Sequence, residues 1–229
     1  MKKSLVALAA LAVVGAAHAQ LSANVALTSS YKFRGQDQSD NRPAIQGGFD
    51  WTAGGFYAGN WNSSIGFTDA GIESDLYAGY RGDAGGLAYD VGVIGYLYPR
   101  FGDGNTFEVY GGVTFGMFTA KYSHTVSKGY FGLAGDQEGR GTGYLSLAAA
   151  VPVSDAVTID LGVGYTRLSS DLKNAIGLPS FYDYKVGAST MLPGDFKLGA
   201  AVVGATKDGA NQWGDVNKAR FIVTLSKSL

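Results

Sequence analysis

Apolar and polar residues alternate with a period of two along most of the chain, and this regularity limits the fold more than any other feature. Between positions 21 and 34 the odd positions include Leu21, Val25, Leu27, Tyr31 and Phe33, whereas the even ones include Ser22, Asn24, Thr28, Lys32 and Arg34. Successive side chains of a strand point to opposite faces, so this pattern predicts a strand with one apolar and one polar face. The same phase recurs in Ile45-Gly47-Phe49-Trp51, Leu76-Ala78-Tyr80, Leu87-Tyr89-Val91-Val93 and Val157-Ile159-Leu161-Val163-Tyr165. Twelve strands are expected, at 21–34, 43–51, 56–65, 72–81, 86–98, 106–115, 117–124, 141–151, 157–168, 181–191, 196–206 and 218–229. Most approach the ~9–11 residues that a tilted strand needs to cross a bilayer.

The links between these segments alternate in length. Thr52–Gly55, Gly82–Gly85, the break near Gly116, Pro152–Asp155 and Leu192–Asp195 are tight, while 35–42, 66–71, 99–105, 125–140, 169–180 and 207–217 are longer and polar. Outer-membrane barrels have short periplasmic turns, longer extracellular loops and an even strand number. A soluble sandwich has no physical reason to sort its links in this way. The expected fold is therefore all-β: a transmembrane antiparallel β-barrel of about 12 strands.

The N-terminal residues give a compartment. Lys2 and Lys3 precede an apolar stretch from Leu5 to Ala17, and Ala17-His18-Ala19 fits a small-x-small cleavage site. This predicts a signal peptide over 1–19 and an outer-membrane β-barrel over 20–229. Without Lys2 and Lys3 the chain carries 16 basic and 19 acidic residues, a charge of −3, which argues against a nucleic-acid surface. Charged residues make up 16% of the chain, against roughly 25% in soluble domains. The cysteine count of 0 removes disulfides, thiol nucleophiles and cysteine metal sites.

A soluble lipocalin-like barrel, apolar inside and polar outside, would show the same alternation. Three features favour the membrane. Aromatics stand near apolar-face strand ends, with Tyr31, Phe33, Tyr165 and Phe221 expected on the outer side and Trp51, Tyr57, Tyr80 and Phe196 on the periplasmic side. Charge is low throughout. The sequence also closes on a strand, Phe221-Val223-Leu225 with Leu229, of the kind read during insertion. Lys227 breaks the apolar phase but lies close enough to the strand end to snorkel.

Two segments, Ser29-Ser30-Tyr31-Lys32-Phe33-Arg34-Gly35 and Gln38 through Trp51, together with Phe56–Trp61 and Glu73–Tyr80, resemble the opening of the TorF family of porins. The resemblance is most specific over 29–82 and is mainly one of pattern beyond. It implies a proteobacterial outer-membrane barrel and supplies no catalytic or ligand residues.

Enzyme chemistry finds little support. A barrel hydrolase needs a nucleophile and a base within hydrogen-bond reach. After residue 19 the only histidine is His124, and its neighbour Ser123 must face the other side of the strand. An interfacial histidine is the simpler reading. No helix is expected after any glycine motif, Gly135-Asp136 included, so no phosphate cradle forms. Asp37, Asp40, Asp136 and Glu138 in loops could bind calcium or bridge lipopolysaccharide, but their spacing gathers no six-oxygen shell. No cofactor and no metal are expected.

The polar phase carries the informative charges. Lys32, Arg34, Lys197 and Arg220 come from strands that become neighbours when first and last pair, and are expected to form a basic lumen wall. Glu73, Asp75, Asp90 and Glu108 should form an acidic wall opposite. Such a field would orient polar solutes in a narrow pore. The alternative is that these charges pair across the lumen and plug it. The expected function is passive diffusion of small hydrophilic solutes across the bacterial outer membrane; a non-conducting barrel acting through its extracellular loops is the rival. Expected partners are outer-membrane lipid and lipopolysaccharide, small polar solutes, and the barrel-assembly machinery during insertion.

Overall fold

The computed structural model describes residues 19–134, 138–210 and 214–229. The signal peptide expected over 1–19 lies outside these residues except for Ala19, as does Asp136. In chain order the strands are β1 (Gln20–Thr28), β2 (Lys32–Phe33), β3 (Gln36–Asp37), β4 (Ala44–Ala53), β5 (Phe56–Ser64), β6 (Ile72–Ala84) and β7 (Leu87–Leu97). They continue as β8 (Thr106–Phe115), β9 (Phe118–Thr125), β10 (Gly143–Pro152), β11 (Val157–Arg167), β12 (Phe181–Leu192), β13 (Phe196–Ala205) and β14 (Arg220–Ser228). Twelve of them close into one antiparallel barrel, and β2 and β3 form a separate two-stranded hairpin. Neighbours in sequence pair throughout, β1 pairs with β4 across the hairpin, and β14 closes on β1 from Asn24–Ser228 to Thr28–Thr224. Closure leaves no unpaired sheet edge.

The apolar phase faces outward. Val25, Leu27, Val91, Val93, Leu161 and Val163 are all exposed on the outer wall, Val163 by 47%. A water-soluble barrel would hide these side chains inside; a belt of them around the whole wall requires a lipid surround. Trp51, Tyr80 and Phe196 stand exposed near one end of the belt and Phe221 near the other. Tyr165 joins that second group by packing on Tyr182 at 4.6 Å between ring centres. Lys227 bends its ammonium over the Phe196 ring, 5.0 Å from the centroid, which keeps the charge at the rim. Three expected girdle residues belong elsewhere: Tyr31 and Tyr57 are buried inside the barrel, and Phe33 packs against an internal cluster. Their ring edges carry, or lie beside, polar groups that find partners in the lumen.

All five tight turns lie at one end of the barrel and all six long links at the other. The break near Gly116 is a two-residue turn: Phe115 pairs with Phe118, and Gly116 takes a φ of 56°. The long polar link at 169–180 contains helix α1 (Ser170–Ile176). Ser169 caps it by accepting the Leu172 N–H at 3.1 Å, and Gly177 ends it at a φ of 67°. Leu172 is buried there with Leu168, Tyr130 and Ala134.

The main correction concerns the first segment. Alternation continues to Arg34, yet the barrel strand stops at Thr28. Arg34 and Gly35 take φ values of 49° and 75°, reversing the chain into the β2–β3 hairpin. A Cβ on Gly35 would meet the Asp183 Cβ at 2.8 Å, so the hairpin tip presses on the β12 wall. Lys32 and Arg34 therefore reach the lumen from an inner hairpin and not from the wall.

Candidate functional site

The hairpin is fastened to the β6–β8 side of the lumen. Tyr31 donates its hydroxyl to Glu73 Oε1 at 3.0 Å, and Tyr98 donates to Glu73 Oε2 at 3.1 Å. Arg34 reaches Glu108 through two bonds, Nη1 to Oε1 at 2.8 Å and Nη2 to Oε2 at 2.7 Å. Tyr96 adds a longer hydroxyl bond to Glu108, 3.4 Å. The guanidinium also lies 4.7 Å from the Phe33 ring centre and 4.3 Å from that of Tyr144. A bidentate pair stacked between aromatic rings suits a planar guanidinium and would not suit a lysine.

Nearer the tight turns, tyrosines fill the same side. Tyr57 donates to Asp90 at 2.5 Å and also contacts the Tyr110 hydroxyl, while Tyr77 donates to Asp50 at 2.6 Å. Arg81 lies 4.6 Å from the Tyr57 ring centre, and the Lys121 ammonium 3.6 Å from that of Tyr110. These rings lie flat because glycines sit beneath them. A Cβ on Gly92 would meet the Tyr110 hydroxyl at 2.6 Å, and one on Gly59 would meet the Tyr77 ring at 2.8 Å. Much of the high glycine content is thus ring-to-wall packing between neighbouring strands.

The opposite side is nearly bare. From β10 round to β14 many inward positions are small, with Ser146, Ala148, Gly162, Ser189, Gly199 and Ser226 among them, and they line a cavity of about 560 Å³. The cavity runs from Thr28 and Ser30 near the long links to Lys197 and Ser226 near the tight turns. Lys32, Arg34, Lys185 and Lys197 lie on its walls with Asp160 and Asp183. Burial pushes the Lys32 ammonium down to about 8, against an opposing pull from Asp37. It donates to the carbonyls of Gly35 and Val216 at 3.4 and 3.2 Å. Tyr144 donates to one Asp183 oxygen at 3.1 Å.

The expected basic wall is brought together only in part. Lys32, Arg34 and Lys197 share the cavity; Arg220 lies at the long-link end and donates to Asn41 Oδ1 at 3.1 Å and the Asp215 carbonyl at 3.2 Å. Of the acidic set, Glu73, Asp75 and Glu108 are buried on the β6–β8 side, and Asp90 is held by Tyr57. Arg34 crosses to that side, so the two signs are not fully separated. Lys185, the tyrosine layer and the hairpin were not anticipated as a site. The tyrosines had a readable signal: Tyr77 shares the parity of Glu73 and Asp75.

A second cavity, about 380 Å³, lies above the hairpin among the long links, walled by Phe33, Phe67, Phe131 and Leu168. Arg34 borders both cavities. Ser123 is buried inside the barrel, whereas His124 lies on the outward parity beside Tyr122, with Nδ1 3.3 Å from its hydroxyl. They face opposite sides, as adjacent strand residues must. Among the described residues the loop carboxylates do not converge either: Asp37 is buried and bonded to Ser30, Asp40 pairs with Arg42, and Glu138 with Arg140.

Comparison with known proteins agrees with this architecture. A family model described as "Bacterial protein of unknown function (Gcw_chp)" matches residues 12–229. No curated protein matches the chain. Among solved structures, the KdgM porin superposes with a TM-score of 0.60 at 11% identity, covering 91% of this chain and 99% of its own. A KdgM porin in complex with disordered oligogalacturonate gives 0.57 at 10% identity, covering 91% of this chain and 98% of its own. The NanC porin gives 0.55 at 8% identity, covering 90% and 98%. At such identities the likeness is one of fold.

Proposed function

The chain belongs to the Gcw_chp family of bacterial proteins, and we propose that it is a narrow outer-membrane channel through which small hydrophilic solutes diffuse passively, with a preference for anions. One observation carries this reading: the 560 Å³ cavity follows the small-residue wall through most of the barrel's height. Lys32, Lys185 and Lys197 line it. Against them on the same walls stand Asp160 and Asp183, the latter accepting from Tyr144, while Glu73 is held by two tyrosines and Glu108 by Arg34. In a narrow lumen such unbalanced charge acts over the Debye length of about 8 Å at physiological salt.

The same reading includes a leader removed after Ala19, insertion by the barrel-assembly machinery, and lipid and lipopolysaccharide around the wall. The resemblance to the TorF family over 29–82 and the fold shared with KdgM and NanC both support it. Bound oligogalacturonate in one KdgM structure fits a fold that admits polar solutes. Ser123 and His124 lie on opposite faces of the wall, and no catalytic role is assigned to either residue.

A second reading is favoured by the bidentate lock of Arg34 on Glu108: a barrel held shut by its hairpin, acting through its loops. Swelling of liposomes carrying the purified protein separates the two. Swelling in small sugars and organic acids supports the channel; none at any protein density supports the closed barrel.

A further inference from the structure

The outer apolar belt is interrupted on one strand. Tyr57 and Ser63 of β5 are buried on its inward face, so its outward residues are Phe56, Ala58, Asn60, Asn62 and Ser64. Asn60 stands directly between Phe49 and Leu76, which are 58% and 55% exposed on the outer wall, and Asn62 stands between Gly47 and Ser74. Among the described residues every other barrel strand exposes a large apolar side chain near its middle. β5 exposes only Phe56, at its tight-turn end.

Asn60 is the middle residue of β5, so its carboxamide lies at the depth of the lipid tails, beyond the reach of any headgroup. Its Oδ1 accepts the Phe49 N–H at 3.3 Å, and its NH2 group donates to nothing among the described residues. The Asn62 NH2 group reaches the Gly47 carbonyl at 3.4 Å and leaves Oδ1 without a donor among them. Polar atoms left unpaired in hydrocarbon are costly, so a partner with donors and acceptors at this depth is favoured over lipid. Small neighbours open the approach: Gly47, Asn62 and Ser64 line a shallow groove of about 380 Å³ between the side chains of Ile45 and Ile72.

Two copies inserted in the same orientation are related by a two-fold axis along the bilayer normal. That operation preserves depth, so a residue near the axis meets its own copy. A lysine or a carboxylate there would meet a like charge, whereas a carboxamide carries both donor and acceptor and pairs with itself. We propose that the outward face of β4 to β6, centred on Asn60 and Asn62, is the interface with a second copy of this chain. Amide-to-amide hydrogen bonds hold its centre, and Gly47 and Ser74 let the two walls come close. The contact leaves the lumen untouched, so it stands whether or not the barrel conducts.

The test uses the mature protein in lipid vesicles. The chain has no cysteine, so one introduced thiol reports on its own surroundings. Ser64→Cys, on the proposed face, should crosslink into a dimer with a short bis-maleimide, and Leu161→Cys, on the outward face of β11, should not. Energy transfer between copies labelled through Lys173→Cys on α1 measures association as the protein-to-lipid ratio is varied. Asn60→Leu combined with Asn62→Leu makes the lipid face more apolar, so it should insert with undiminished yield yet weaken association about 10-fold. Monomers at every ratio would overturn the proposal, as would equal crosslinking through Leu161→Cys. Association unchanged in the double variant would overturn the amide contact. Crosslinking of Ser64→Cys to a different protein in whole outer membranes, with the purified chain monomeric, would overturn self-association.

Discussion

Arg34 and Glu108 tie the inner hairpin to the barrel wall by two parallel bonds of 2.8 and 2.7 Å between side chains that are 7% and 1% exposed. Glu108→Gln leaves the guanidinium buried without its counter-charge. Breaking such a pair from one side costs about 3–5 kcal/mol. The variant is expected to refold from urea with that loss of stability and, with its hairpin released, to show larger single-channel conductance. Unchanged conductance with lowered stability would mean that the hairpin does not narrow the path.

Val163 points into the lipid belt near the middle of β11. Val163→Arg should cost ~2–4 kcal/mol and lower the folding yield into bilayers. Ser146→Arg, on the inward parity of the neighbouring β10, should fold with near-normal yield. Equal yields for the two variants would contradict the assignment of faces.

Helix α1 and Gly177 lie at the long-link end, Ser154 at the tight-turn end. An epitope inserted after Gly177 is expected to be labelled on intact cells, whereas one at Ser154 should need permeabilised cells. The reverse pattern would invert the orientation.

Lys32 lies on the hairpin, outside the spanning strands, with Asp37 and Arg220 as its charged neighbours. Burial lowers its folded value to about 8 from 10.5. Because the folded value is the lower one, the ammonium opposes folding below about pH 8, and this opposition fades as pH rises from there toward 10.5. The cavity also loses a positive charge as pH rises through about 8, so anion preference should fall there. Lys32→Met should show the lower preference at neutral pH and no step through that range.

Much of this architecture was legible before any coordinates. Twelve strands, their parity and the sorting of links followed from alternation, because the side-chain period and the need for a closed edge leave few alternatives. The hairpin was hidden because Ser29 to Arg34 keeps the strand pattern. Only the backbone reversal at Arg34 and Gly35, and the distant partners Glu73 and Glu108, turn it inward. Tyr31 and Tyr57 were misplaced for a related reason: a tyrosine suits a lipid interface and a polar lumen equally well, and the carboxylate within reach decides. Helix α1 could have been read from Ser169 as cap and Gly177 as stop. The two cavities could not, since they depend on which inward positions are small on neighbouring strands.

The central claim is a water-filled, anion-preferring path along the small-residue wall, and reversal potential in a planar bilayer under a KCl gradient tests it most directly. Gly199 suits the blocking variant, because an added Cβ there meets nothing closer than 4.0 Å. The account predicts discrete conductance steps with a reversal potential of anionic sign, and a marked loss of conductance in Gly199→Trp. Absence of steps, a cationic sign, or full conductance in Gly199→Trp would contradict it.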